Sequence, residues 1–180
     1  RAVFDAAPQN VQFAENIAAA DAILSTSVAE GFGMTFLEPW LSGREVIARR
    51  LQTVTDDFEE SGIHIHKLYD RIPISGDTVW LNECQQEYAA ALDTAWKKVP
   101  PQFRPPTSNI EHHATDIDFA QLTTKRQVKV LQRMAGDPGF EAEIQSLSAS
   151  LVNDLCTNSD SHYVATNASI IRDRYSTDRA

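Results

Sequence analysis

The chain has 180 residues, 42% of them hydrophobic, enough to bury a core of ordinary domain size. Its 16 basic and 25 acidic residues leave a net charge of −9, which excludes the positive field that gathers nucleic acid. No apolar run approaches the roughly eighteen residues of a membrane span and no basic-then-apolar signal opens the chain, so we expect no membrane span. Cys84 and Cys156 are too few and too far apart for a disulfide scaffold or a zinc site. Both read as small buried apolar residues of a reducing compartment, and a cytoplasmic location is expected.

Residues 1–10 carry little pattern. Val11-Gln12-Phe13 reads as a short strand before a helical Glu15 to Ala20. Ala22-Ile23-Leu24-Ser25 is a short apolar run with polar neighbours, the pattern of a parallel strand buried on both faces, ending near Ser27. Glu30-Gly31-Phe32-Gly33 follows, and its two glycines allow a sharp turn and let peptide N–H groups approach a ligand. Met34, Leu37 and Leu41, with Phe36 and Trp40, step at helical spacing until Ser42-Gly43 stops the run. Strand, glycine loop and helix N-terminus in this order predict an anion site above the carboxyl end of the strand.

Glu30 and Glu38 frame that site with seven residues between them. Carboxylates beside an anion site suit sugar-nucleotide chemistry, because they accept hydrogen bonds from ribose and hexose hydroxyls while backbone N–H groups take the diphosphate. The stretch resembles the E-x7-E signature of the GT-B retaining glycosyltransferases, especially the family-4 type that includes glycogen, sucrose and lipopolysaccharide synthases. The likeness runs through Glu30-Gly31-Phe32-Gly33, Leu37-Glu38, Gly43 and Val46-Ile47. It departs at Thr35, at Pro39 where alanine is common, and at Arg44-Glu45 where a proline normally precedes the strand. The resemblance implies that Glu38 binds the ribose, that Glu30 sits near the donor sugar as the catalytic carboxylate, and that Gly31, Phe32, Gly33, Met34 and Thr35 supply the donor-binding loop. A competing local reading makes Thr35-x-x-Glu38 a capping box, with Pro39 arguing against it because the fourth helical residue should donate the first ladder bond.

Glu45-Val46-Ile47-Ala48 reads as the next parallel strand, ending in Arg49-Arg50, whose charges either face a phosphate or pair in a solvated turn with Asp56, Asp57, Glu59 or Glu60. Thr53 to Ser61 reads as a short acidic helix closed by Gly62. Ile63-His64-Ile65-His66 alternates as a half-buried strand does. His-x-His can bind metal, but no third ligand is evident and His112-His113 lies in another segment, so no metal site is expected. Retaining GT-B enzymes generally work without an essential metal, so the resemblance points the same way, and no cofactor is expected.

Asp77 to Lys98 steps at helical spacing through Val79-Trp80, Cys84, Tyr88, Leu92 and Trp96, which places these aromatics in a core. Val99 to Pro106 holds four prolines and breaks the chain. Helices are expected over Thr123 to Ala135, Phe140 to Cys156 with its stripe of Ile144, Leu147, Leu151, Val152 and Leu155, and His162 to Tyr175. The sequence thus predicts an α/β fold, a Rossmann-like partial parallel sheet with helices followed by a mainly helical C-terminal part. Its expected divisions are an incomplete nucleotide-sugar-binding half over 1–99, a Pro-rich linker over 100–109 and C-terminal helices over 110–180.

By resemblance, the protein is part of a hexosyltransferase that moves a hexose from a nucleotide diphosphate, a UDP- or GDP-sugar, to an acceptor hydroxyl with retention. An N-terminal acceptor domain and the phosphate-neutralising basic pair of that family lie outside this chain, so the chain alone is expected to be inactive. Arg49, Arg50 and Arg71 do not match the positions of that pair. The alternatives are a non-catalytic nucleotide-sugar-binding module and a helical protein-interaction module built on the stripe from Ile144 to Leu155.

Overall fold

Short apolar runs separated by glycine-closed helices give the first half of the chain its α/β alternation. The computed structural model describes residues 11–31, 33–104 and 115–175. In chain order the elements are α1 (Phe13–Ala19), β1 (Ala22–Ser25), α2 (Met34–Leu41), β2 (Glu45–Arg49), α3 (Gln52–Glu60), β3 (Lys67–Tyr69), β4 (Pro73–Ser75) and α4 (Thr78–Trp96). A 3₁₀ turn at Pro101–Phe103 follows, then β5 (Asp116–Asp118), a second 3₁₀ turn at Phe119–Gln121, α5 (Thr124–Gly136), α6 (Pro138–Leu147), α7 (Ala149–Cys156) and α8 (Ser161–Tyr175). No helix among the described residues is long and apolar enough to cross a membrane. The fold is mixed α/β with a mainly helical C-terminal region.

The chain divides into two units, residues 1–70 with 150–180, and residues 71–149. This division differs from the one expected at the Pro-rich segment. Two pairings across the sequence account for it. In the second unit β4 pairs antiparallel with β5, Ile74 opposite Ile117, which ties together residues on either side of the prolines. In the first unit α8 returns to pack on α2. Residues 105–114, which include the expected linker's Pro105 and Pro106, lie outside the described residues.

The first unit is a Rossmann-like β1-α2-β2-α3-β3 run whose three strands are parallel, in the order β1-β2-β3. Burial on both faces, expected of β1, belongs instead to β2, where Glu45 through Ala48 are all buried. β1 is an edge strand with Leu24 51% exposed. Both α2 and α3 end in the same way, because a glycine with positive φ allows two orphan carbonyls to be satisfied. Gly43 (φ 74) donates to the Trp40 carbonyl and Arg44 to that of Pro39, and Gly62 (φ 84) donates to Glu59 and Ile63 to Phe58.

The core of this unit joins Phe36, Leu37 and Trp40 of α2, Val46 and Ala48 of β2, and Val54 and Phe58 of α3 to Tyr163, Val164 and Ile171 of α8. Each such burial stabilises by about 1.5–3 kcal/mol. One charged pair is buried with it. Lys67 Nζ lies 2.9 Å from Glu45 Oε2 and also donates to the Thr157 carbonyl at 2.9 Å, so the buried charges of neighbouring strands compensate each other.

Several expected elements differ. Val11–Phe13 is not a strand, because α1 begins at Phe13 and the Gln12 N–H donates to Glu15 Oε2 at 2.8 Å, a helix-start contact. Ile63–His66 keeps the alternation, with Ile63 and Ile65 buried and both histidines exposed, but it forms no strand. Side chains of α8 take its backbone groups instead. The stretch from Phe140 to Cys156 is two helices, broken where Ser148 leaves helical geometry (φ −111, ψ 29). Phe140 and Ile144 belong to the core of the second unit, while residues from 150 onward belong to the first, so one straight stripe does not exist. In α4, Leu81 and Cys84 are buried and Trp80 packs beside them, whereas Tyr88, Leu92 and Trp96 are half-buried and Val79 is 70% exposed.

Candidate functional site

The parallel direction of β1, β2 and β3 brings their carboxyl ends to one edge of the sheet, the edge where α/β folds place ligands. Ser25, Arg49 and Tyr69 end the three strands there. The Tyr69 hydroxyl donates to the Ser25 carbonyl at 3.5 Å, holding the first turn after β1 against β3. Tyr69 carries no sequence signal, since a three-residue strand is too short to show a period.

From Thr26 the chain runs through Glu30 to Gly33, the residue from which α2 starts. Gly33 is left-handed (φ 80, ψ 29) and buried. A Cβ there would stand 2.5 Å from Val54 Cγ1 and 3.0 Å from the Phe58 ring, so both backbone and packing demand glycine. Gly31 is exposed, and a Cβ there would meet nothing within 4 Å. Phe32 lies outside the described residues.

Glu30 is half-buried, and its Oε1 accepts a hydrogen bond from Thr35 Oγ1 at 3.3 Å. This contact replaces the capping box considered for Thr35 and Glu38. The N-cap of the helix is Gly33, two residues before Thr35, so the threonine hydroxyl reaches back across the loop to Glu30. Pro39 consequently falls in the interior of α2, where it leaves the Thr35 carbonyl without its usual ladder donor. Glu38 is half-buried, and among the described residues its carboxylate has no hydrogen bond or ion pair. Met34 is 45% exposed at the first helical position. The first N–H groups of α2 have no acceptor within the helix and carry its positive dipole end.

Of the predicted residues, then, Glu30 and Thr35 are in contact, Gly31, Gly33 and Met34 border the same loop, and Glu38 stands one turn further along α2. Arg50 at this edge is engaged, with Nε 3.3 Å from Asp70 and Nη1 3.7 Å from Glu59, the paired alternative of the two considered. The Arg49 guanidinium lies 6.0 Å from the Tyr69 ring centre. Arg71 belongs to the second unit, where it pairs with Asp116.

A cavity of about 460 Å³ in the first unit lies past the other end of α2, lined by Trp40, Gly43, Arg44 and Arg172 among others, and none of the predicted residues lines it. Among the described residues no three His, Cys, Asp or Glu side chains form a metal-holding group. His66 is stacked on Tyr163, and His112 and His113 lie outside the described residues. No family model, curated protein or solved structure matches the chain.

Proposed function

We propose that this chain forms the donor-binding side of a cytoplasmic retaining glycosyltransferase that uses a nucleotide diphosphate hexose, a UDP- or GDP-sugar. The observation that carries the reading is the turn from β1 into α2: an obligatory left-handed Gly33 opens the helix at the carboxyl edge of a parallel sheet, with Glu30 tied to Thr35 beside it. In this reading the free N–H groups of α2 and the loop take the diphosphate, the Glu38 carboxylate accepts from the ribose hydroxyls, and Glu30 faces the hexose. During transfer the anomeric C–O bond to the diphosphate breaks and the diphosphate leaves with the electron pair, while the acceptor oxygen bonds to the same carbon and passes its hydroxyl proton to an oxygen of the leaving diphosphate. Oriented N–H donors stabilise the charge that develops on the leaving group.

A two-sided cleft buries more of the ligand than one side can, so on this reading the chain alone binds donor weakly and does not turn it over. The test is calorimetric titration with UDP, GDP, ADP and their glucose and mannose conjugates, with and without an acceptor-side domain supplied. One nucleotide should bind, and Glu38→Ala, folded by circular dichroism, should abolish that binding. Absence of binding under both conditions would overturn the reading, and robust turnover by the chain alone would overturn its incompleteness.

A further inference from the structure

We propose that the cleft between the start of α4 and the face of α5, within the second unit, binds a small organic anion made of an apolar body and one carboxylate or phosphate head. This site is independent of the glycosyltransferase reading.

The cleft holds about 200 Å³, roughly the liquid volume of six or seven waters, which suits a single ring and is below the usual range of drug-sized pockets. Its floor is apolar, formed by Ile74, Val130 and Phe140, with the Trp80 indole packed so closely on Gly76 that a Cβ there would collide with the ring. A floor of this kind takes an uncharged body.

The rim is cationic. α5 carries Lys125, Arg126, Lys129 and Arg133 and no acidic residue, in a chain of net charge −9. That arrangement works against the helix, because basic residues at its N-terminal end oppose the dipole and like charges four apart repel. Arg126 has its compensation close by, with Nη2 3.1 Å from Glu83 and 2.7 Å from Glu87.

Lys129 and Arg133 differ from it. Among the described residues the Lys129 ammonium has no hydrogen bond or ion pair. Arg133 lies over Phe140, its Cζ 3.8 Å from the ring centre, and among the described residues engages only Asp137 through Nε at 3.5 Å, so its terminal N–H groups stay open. A guanidinium stacked on a ring is pre-oriented to donate in its own plane to an oxyanion. The one carboxylate on the wall, Asp77, already accepts from the Trp80 N–H at 2.8 Å as the cap of α4. The Ser75 hydroxyl is likewise spent on Glu143 at 2.5 Å.

The experiment is calorimetric titration of the full chain with phenylacetate, phenyl phosphate and neutral 2-phenylethanol. At least one anion should bind, and the alcohol should bind about tenfold more weakly. Lys129→Ala should weaken the anion about tenfold, Lys129→Arg should keep it, and Lys125→Ala, on the same helix outside the cleft, should leave it unchanged. Lys129 and Lys125 are both exposed, so these variants should melt as the parent does. Binding of only one of the two anions names the head group. The proposal is overturned if neither anion binds better than the alcohol, or if Lys125→Ala costs as much as Lys129→Ala, which would show diffuse charge instead of a site.

Discussion

The Asn167 side chain pairs with both backbone groups of His64, its Oδ1 accepting from the His64 N–H at 3.2 Å and its Nδ2 donating to the His64 carbonyl at 2.6 Å. A residue of α8 thereby supplies, across 103 positions, the bonds a neighbouring strand would otherwise make. Asn167 is 1% exposed. Replacing it by leucine leaves the part-buried His64 N–H and carbonyl without their side-chain partner, at a cost of about 2–4 kcal/mol. Asn167→Leu should lower the urea midpoint accordingly, and a loss under about 0.5 kcal/mol, the level of an ordinary surface change, would contradict the pairing.

The two loop glycines should separate folding from ligand approach. Gly33→Ala forces a side chain into the left-handed region and into Val54, so we expect a loss of about 2–4 kcal/mol in denaturant unfolding. Gly31→Ala meets open space and should change stability by no more than about 0.5 kcal/mol. If the loop receives a diphosphate, Gly31→Ala will weaken nucleotide binding in calorimetry while the melting curve stays in place.

Glu30→Gln keeps an oxygen for the Thr35 hydroxyl and removes only the charge. In the transferase reading, with the acceptor side supplied, kcat should fall by at least about a hundredfold while nucleotide affinity changes little. A non-catalytic binding module would show no turnover to lose. Equal losses of affinity and rate would assign Glu30 to donor binding alone.

Tyr163 lies flat on His66, ring centres 3.9 Å apart, and meets Trp40 edge-on at 5.3 Å. Burial pushes its hydroxyl up to about 12, against the hydrogen bonds with Asn167 and the His66 N–H, which favour the ionised form. The folded state therefore holds this proton more tightly than the unfolded state. The stability it contributes is complete below pH 10 and is lost as pH rises toward 12. Unfolding free energies measured from about pH 9 to 12 should fall, and the Tyr163→Phe variant should show a shallower fall.

The two cysteines should react at different rates. Cys84 is buried, and burial raises its thiol above the ordinary range, whereas Cys156 is exposed. A thiol-specific disulfide reagent should modify one equivalent at once in native buffer, with the second released only by denaturant. The shared description of both as buried apolar residues fails for Cys156 because its segment of α7 turns this side chain to solvent.

Where a local signal existed, the sequence was readable. The strands Ala22–Ser25 and Glu45–Arg49 carry an apolar run and a turn on each side, and the helices α2 and α3 carry both a period and a glycine stop. Three-residue strands such as Lys67–Tyr69, Pro73–Ser75 and Asp116–Asp118 offer no period, and the pairing of the last two joins segments far apart in the chain. At the candidate site, Glu30, Gly33 and Glu38 stand out by spacing, while the Thr35 hydroxyl bond to Glu30 depends on where α2 starts. Moving that start by two residues exchanges a capping box for a loop contact.

By itself the sequence determined the α/β alternation, the glycine-closed helices and the order of strand, loop and helix around Glu30, because each follows from neighbours within a few positions. Tertiary structure alone decided that Asn167 and Tyr163 complete the backbone bonds of residues 63–66, that β1 is an edge, and that Arg50 is spent on Glu59 and Asp70. These depend on contacts between residues far apart in the chain, where burial and unpaired polar groups are settled only when the surfaces meet.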